Sequence, residues 1–306
     1  MIKTKHLKFC VLFFGLAIFS CTNTPRQPAD HTADETAGKA PQHPKIDLFK
    51  GKYNSYPIKG NDTALTFFKK RYTAKQQHII LALNRVDFDH FFNIDSLVIP
   101  DTVLDDLNRY TPFPLRLEGL QNINKLVFFA YPIQAFAAYE KGYLMRWGPS
   151  SMGSKAHPTQ TGLAFTNWKA EEHVSTADDE WILRWNFNIH NKEGIGWHQY
   201  AMPGYPASHS CLRLLENDAR WLYDWADEWI IEKNQHILAE GTPVIVFGTY
   251  DYEGTKPWFN LLDDPKANNI SEDELLNQVK PNLQKIRQAQ QKRTEVAHAK
   301  QDSTEA

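Results

Sequence analysis

A chain of 306 residues, 42% of them apolar and 13% aromatic, has enough material for a sizeable core and reads as globular. Its formal charge of −2, with no long run of one sign outside the termini, excludes the basic footprint of a nucleic-acid binder.

The first twenty residues bear on compartment. Lys3, Lys5 and Lys8 precede an apolar run over residues 9–19, too short to span a bilayer but of the length of a secretory h-region. Residues 1–20 are therefore expected to be a signal peptide. The run ends Ile18-Phe19-Ser20-Cys21, which resembles a bacterial lipobox. That resemblance implies that Cys21 is acylated and becomes the mature N-terminus; an ordinary cleavable signal that contains a cysteine is the alternative. Residues 21–45 are rich in Thr, Pro, Ala, Asp and Gln without apolar periodicity, so they cannot bury surface and read as a flexible tether. The implied location is the cell envelope, lipid-anchored and facing the periplasm or cell wall, with the choice of membrane left open.

Three cysteines then resolve into three fates. Cys10 leaves with the signal, Cys21 carries lipid, and Cys211 remains without an intramolecular partner. An unpaired thiol in an oxidising compartment calls for a chemical use. An inert buried cysteine would have apolar neighbours, whereas Cys211 is set among Ser208, His209, Ser210 and Arg213.

Taken in order, residues 46–114 are mixed in composition, with 64–72 and 76–84 readable as short helices. The order helix, Asn84-Arg85-Val86-Asp87, short spacer, Leu97-Val98-Ile99-Pro100 resembles the second half of a LysM-type peptidoglycan-binding module. A small α/β accessory region packed on the next domain is the alternative. Pro112 and Pro114 resist both helix and central strand, so a domain boundary is placed there.

Residues 115–252 turn to strands: 125–130, 134–140, a hairpin turn at Lys141-Gly142, and 143–148. His157-Pro158-Thr159-Gln160-Thr161-Gly162 is a loop leading into 163–168. Residues 169–180 are charged and read as a surface loop. Over 181–190, Ile182, Leu183, Trp185, Phe187 and Ile189 suit a half-buried strand. Asn217 or Asp218 can cap a helix running to about 232, with Trp221, Leu222, Trp225, Trp229 and Ile230 as its core stripe. Gly241-Thr242-Pro243 precedes a last strand at 244–247. Residues 253–306 read as a polar tail with one amphipathic helix near 272–291 and a frayed end. The expected fold class is mainly β with flanking helices plus a small N-terminal α/β region.

The segment from His198 through the loop 199–207 to Ser208-His209-Ser210-Cys211-Leu212-Arg213 resembles the signature of the YkuD-type L,D-transpeptidase family. Pro203-Gly204-Tyr205-Pro206-Ala207 is similar to a short-loop branch of it. The strands, the Pro-Thr-x-Thr-Gly loop, Gly194-x-Gly196-x-His198, the cysteine, a helix and Gly-Thr-Pro-Val follow in family order over about residues 120–250. The resemblance implies a β-sandwich catalytic domain at 115–252 and a peptidoglycan tetrapeptide stem as substrate. The bond to the terminal D-Ala would be cleaved through a thioester on Cys211. An amine of a neighbouring stem would then take the acyl group in a 3→3 cross-link, or water would take it in a carboxypeptidase reaction. Neither a metal nor another cofactor is implied.

The residue types suit that chemistry. An imidazolium beside Cys211 lowers the thiol pKa, and His198 is the candidate that takes the thiol proton and returns it to the leaving amine. Main-chain N–H groups near Ser210 and Cys211 are candidate oxyanion donors. His209 either lies beside the sulfur or braces the loop, and Ser208 orients a histidine or the loop. Arg213 favours the thiolate, holds a substrate carboxylate, or forms a structural ion pair. Tyr205 and Gly196 are assigned to substrate binding. Two positions depart from the family pattern. Ser210 replaces the glycine before the cysteine and is strained if the turn needs positive φ. Gln199 replaces a small residue after the histidine, which bears on the hydrogen bond that orients His198. Two other readings are a catalytically silent peptidoglycan-binding lipoprotein, and a zinc site made of His198, His209 and Cys211.

Overall fold

The computed structural model describes residues 46–175, 180–232 and 236–305; the segments read above as signal peptide and tether, with Cys21, lie outside them. No helix among the described residues is long and apolar enough to cross a membrane.

The N-terminal region runs β1 (Tyr53–Pro57), α1 (Ala64–Arg71), α2 (Ala74–Leu83) and β2 (Ser96–Pro100), with β1 and β2 antiparallel. Helix α2 starts earlier than its apolar residues indicate, because Thr73 and Gln76 form a reciprocal capping box at its N-terminus. At its other end the buried amide of Asn84 donates to the carbonyls of Ile80 and Val98 and accepts from the N–H of Val98, which fastens the helix to β2. Ile58, Phe68, Ile80, Phe91 and Leu97 form the local core, whereas Ile79, Leu83 and Val98 join the core of the main sheet.

That sheet is built from β3 (Lys125–Ala130), β4 (Ala135–Glu140), β5 (Tyr143–Ser151), β6 (Gly162–Phe165), β7 (Lys169–Val174), β8 (Ile182–His190), β9 (Ile195–Gln199) and β10 (Leu212–Leu214). Helix α3 (Glu216–Trp225), the short pair β11 (Ile230–Ile231) and β12 (Ile237–Ala239), and β13 (Pro243–Phe247) follow. Nine of these strands form one sheet in the order β6-β13-β3-β4-β5-β10-β9-β8-β7. The expected hairpin joins β4 to β5 with positive φ at both Lys141 and Gly142, which matches the twist of the strands.

Alternation along each strand separates two cores. Leu126, Phe128, Ala137 and Tyr139 face one, while Val127, Phe129, Phe136 and Ala138 face the other. The second core also takes in Phe187, Trp197, Leu212 and Leu214, so the far half of the sheet curls over the near half. The sandwich is thus one sheet facing itself. The mainly β class with flanking helices is what the structure shows.

Three local expectations change. The charged stretch 169–180 is not all loop: Lys169–Val174 is edge strand β7, paired with β8, and its exposed Glu171 and Glu172 suit a sheet edge. Helix α3 is preceded by Leu215, rather than capped by Asn217 or Asp218, and it ends at Trp225. It stops there because the Asp227 main chain is tied to Thr242: its N–H donates to the Thr242 hydroxyl at 2.8 Å and its carbonyl accepts from Thr242 N at 3.1 Å. The C-terminal stretch is more than a polar tail. Trp258, Leu261, Leu275, Val279 and Ile286 are buried in the first core, carried in part by α4 (Glu272–Val279) and α5 (Leu283–Glu305), with Pro281 in the short turn between them.

Candidate active site

The site is set by two parallel neighbours, β9 and β10, whose register pairs Trp197 with Leu212, His198 with Arg213 and Gln199 with Leu214. Trp197, Leu212 and Leu214 point into the second core, where the Trp197 ring stacks on Phe129 at 6.0 Å and meets Phe187 edge-on at 5.1 Å. Alternation then turns His198 and Arg213 to the opposite face, and one step back along the register it sets Cys211 beside Gly196. Glycine is required at 196 by the neighbouring strand β8, since a Cβ there would lie 2.3 Å from the Phe187 carbonyl oxygen. Its N–H forms a hydrogen bond to the Cys211 sulfur. Gly196, assigned above to substrate binding, is therefore in contact with the nucleophile candidate itself.

His198 is 3% exposed, and its Nδ1 donates to the Gln199 carbonyl oxygen at 3.0 Å. That tautomer, assigned from the geometry, leaves Nε2 with its lone pair. The acceptor is main chain, so the bond that orients His198 is available whatever side chain stands at 199. Burial, followed by the charge of Arg213, outweighs this bond and brings the His198 pKa down from 6.5 to about 4. Burial likewise pushes the Cys211 thiol up, against the hydrogen bond from Gly196 and the charge of Arg213. At neutral pH the resting pair is therefore neutral thiol and neutral imidazole, not the thiolate and imidazolium anticipated from residue types alone.

The sign has consequences for pH. Between about pH 6.5 and pH 4 the unfolded chain binds the His198 proton and the folded chain does not, so stability present above pH 6.5 is lost as pH falls across that window. The thiol gives a direct readout: alkylation of Cys211 by iodoacetamide is expected to keep accelerating through pH 9. A plateau near pH 7 would contradict the neutral resting pair.

Cys211, His198, Tyr200, His209, Trp181 and Arg213 line one small pocket of about 60 Å³. His209 takes the bracing position: its ring stacks on His157 at 4.5 Å and lies 5.1 Å from Trp181. Ser208, buried, donates from its hydroxyl to the Cys211 carbonyl oxygen, so it orients the loop and not a histidine. Arg213 lies over the Tyr200 ring at 4.7 Å, and no carboxylate pairs with it among the described residues. Tyr205 is 48% exposed and does not line the pocket, though it lies near enough to Arg213 to act on its charge. His190, at the end of β8, does not line it either. Among the described residues no group of three or more His, Cys, Asp or Glu side chains is placed to hold a metal ion.

Ser210 has φ of +80°, the left-handed region that glycine occupies freely and serine does not. Its hydroxyl donates to the His157 carbonyl oxygen at 3.3 Å. Relief of the backbone strain outweighs loss of that exposed bond, so Ser210→Gly is expected to stabilise the protein by about 1 kcal/mol. A urea unfolding midpoint at or below that of the wild type would show that the turn is not strained.

Several contributors carried no sequence signal. The loop before Cys211 is held by the N-terminal region, 115 positions away in the case of Asp87 and Met202. An Asp87 carboxylate oxygen accepts from Met202 N at 2.7 Å, Asp87 N donates to the Met202 carbonyl at 3.0 Å, and Gly204 N donates to the Arg85 carbonyl at 3.0 Å. His157 reads from sequence as a loop residue, and Trp181 as the start of a strand. Only the fold shows that both pack on His209.

No curated protein matches the chain. Among solved structures it is similar to an L,D-transpeptidase from Stackebrandtia nassauensis, at 26% identity over 43% of this chain and 58% of that one, with a TM-score of 0.34. It is also similar to an L,D-transpeptidase from Mycobacterium smegmatis, at 20% identity over 41% of this chain and 59% of that one (TM-score 0.33). A third is an L,D-transpeptidase from Mycobacterium tuberculosis H37Rv, at 17% identity over 50% and 72% (TM-score 0.34). The chain thus spans less than two thirds of the first two of these proteins. Residues 127–246, which contain the whole Cys211 site, match the YkuD family model, the L,D-transpeptidase catalytic domain.

Proposed function

We propose that the protein is a cell-wall L,D-transpeptidase that acts on tetrapeptide stems of peptidoglycan through Cys211. The observation that carries this reading is the pocket shared by His198 on β9 and Cys211 just before the adjacent β10, inside the segment that matches an L,D-transpeptidase catalytic domain. Because both groups rest neutral, the thiol proton passes to Nε2 of His198 as the sulfur bonds to the carbonyl carbon before the terminal D-Ala. The N–H groups of Ser210 and Cys211, in the turn opened by the positive φ, receive the developing oxyanion. The carbon–nitrogen bond then breaks, D-Ala takes the proton from His198, and a thioester remains. An amine of a second stem attacks it to form a 3→3 cross-link and restores the thiol; water in its place yields a tripeptide. Arg213, unpaired with any carboxylate among the described residues, is assigned to the substrate carboxylate. Tyr205 is assigned to the exposed approach to the pocket.

The remaining parts of the reading concern placement. A signal peptide at 1–20, lipid on Cys21 and the tether 21–45 would hold the enzyme on the envelope side of a membrane, within reach of the wall. The β-α-α-β order of the N-terminal region, with Asn84-Arg85-Val86 leaving α2, supports a LysM-like role in holding glycan strands near the site.

Incubation of the full chain with purified tetrapeptide muropeptides, followed by mass analysis, tests the reaction. Release of D-Ala together with a 3→3 dimer is expected. Release of D-Ala with tripeptide alone would assign a carboxypeptidase, and unchanged muropeptides would refute the reading.

A further inference from the structure

A second cavity, of about 670 Å³, shares no lining residue with the Cys211 pocket. It lies where residues 48–53, the end of α2, residues 109–112 and residues 264–269 meet β5 at Trp147. Its volume is in the range of small-ligand sites.

Three of its lining side chains, each more than nine-tenths buried, bring polar atoms that the protein leaves without a partner. Arg85 is 2% exposed; its Nε donates to the Ile133 carbonyl at 3.0 Å and its Nη1 to the Leu83 carbonyl at 2.5 Å. Among the described residues nothing accepts from Nη2, and no carboxylate pairs with this guanidinium. The hydroxyl of Tyr53, 8% exposed, and the side-chain amide of Asn268, 6% exposed, have no hydrogen-bond partner among the described residues. The Arg85 guanidinium lies over the Trp258 ring at 5.3 Å, and its free Nη2, the Tyr53 hydroxyl and the Asn268 amide line the cavity, where an anion and its lone pairs can complete the set.

The surroundings point the same way. Lys50, Arg109 and Lys266 add positive charge to the lining, against Asp264 alone. Phe49 and Trp147 supply apolar wall. Burial has already lowered the Arg85 pKa to about 10, the direction expected of a guanidinium held without its counter-charge. The planar fork of Arg matches a carboxylate, and the Tyr hydroxyl and Asn amide can donate to the same group.

We propose that this cavity is a second binding site, which takes a small ligand bearing a carboxylate on an apolar body, with the carboxylate held by Arg85, Tyr53 and Asn268. The assignment does not depend on the chemistry of Cys211. The site is nonetheless next to that chemistry, since the carbonyl of Arg85 is the acceptor for Gly204 N in the loop before the nucleophile.

Calorimetry on the full chain with N-acetyl-phenylalanine, its neutral amide and inorganic phosphate tests the proposal. The acid is expected to bind at least about tenfold more tightly than the amide, the scale of a charge-assisted hydrogen bond, and more tightly than phosphate. Tyr53→Phe removes one oxygen and keeps the packing; it and Asn268→Leu are each expected to weaken the acid roughly tenfold and to leave the amide unchanged. Prior alkylation of Cys211 is expected to have no effect on this binding. Equal binding of acid and amide, no binding of the acid, phosphate at least as tight as the acid, or loss of binding on alkylation of Cys211 would each overturn it.

Discussion

In the Cys211→Ala variant, release of D-Ala from tetrapeptide muropeptides is expected to fall to background, and in His198→Gln to fall by roughly 10²–10⁴-fold. Alanine removes the sulfur on which the proposed thioester forms, whereas glutamine keeps a polar side chain but loses the proton acceptor. The wild-type pH–rate profile separates base loss from mere disturbance. With His198 held at a pKa of about 4, its lone pair stays available well below pH 6, so the acid limb is expected near pH 4 and not near 6.5. The Cys211→Ala protein should also show no mass adduct with a carbapenem, where the wild type shows one. Full activity in His198→Gln combined with its loss in His190→Ala would move the base to the end of β8.

A second large effect is expected on stability, from Arg146→Ala. Asp218, fully buried on α3, accepts from both Nε and Nη2 of Arg146 on β5 at 2.7 Å. Its other oxygen, Oδ2, is buried without a partner among the described residues and would lie 2.4 Å from a Cβ at Gly148. Burial raises the Asp218 pKa, against the lowering by Arg146 and by nearby His78. Removing the guanidinium leaves this carboxylate uncompensated, at a cost of about 3 kcal/mol near pH 7. The folded state can then take up a proton that the unfolded state releases more readily, so the loss should shrink as pH falls toward 5. Denaturant unfolding at pH 7.5 and pH 5 measures both. A loss of equal size at the two values would show that the stacking of the Arg146 guanidinium over Trp221, and not its pairing with Asp218, dominates.

Strands β3, β4 and β5 were legible because short apolar and aromatic runs flank a Lys-Gly turn, and β13 because a short apolar run follows Gly-Thr-Pro. Strand β7 was not legible: its Lys, Glu and His side chains are those of a surface loop, and only pairing with β8 makes them an edge. The end of α3 was misplaced for a similar reason. Trp229 and Ile230 continue a helical stripe, but the bonds between Asp227 and Thr242 turn the chain away first. At the site, the spacing of His198 and Cys211 named the pair, and the strain at Ser210 followed from its place in the motif. The roles of Ser208 and His209 stayed open until stacking on His157 and the bond to the Cys211 carbonyl chose between them.

The sequence by itself determined which residues are able to react, because side-chain chemistry is a local property, but not that His198 lies on β9 and Cys211 immediately before β10. Tertiary structure alone decided the protonation of the pair, since desolvation of His198 and Cys211 is produced by strands and loops distant in the chain. It also decided that residues 85 and 87 brace the loop before Cys211 and that Arg85, Tyr53 and Asn268 line one cavity. Those contacts join segments tens to hundreds of residues apart, and no local pattern encodes a meeting that only the packing of the whole chain creates.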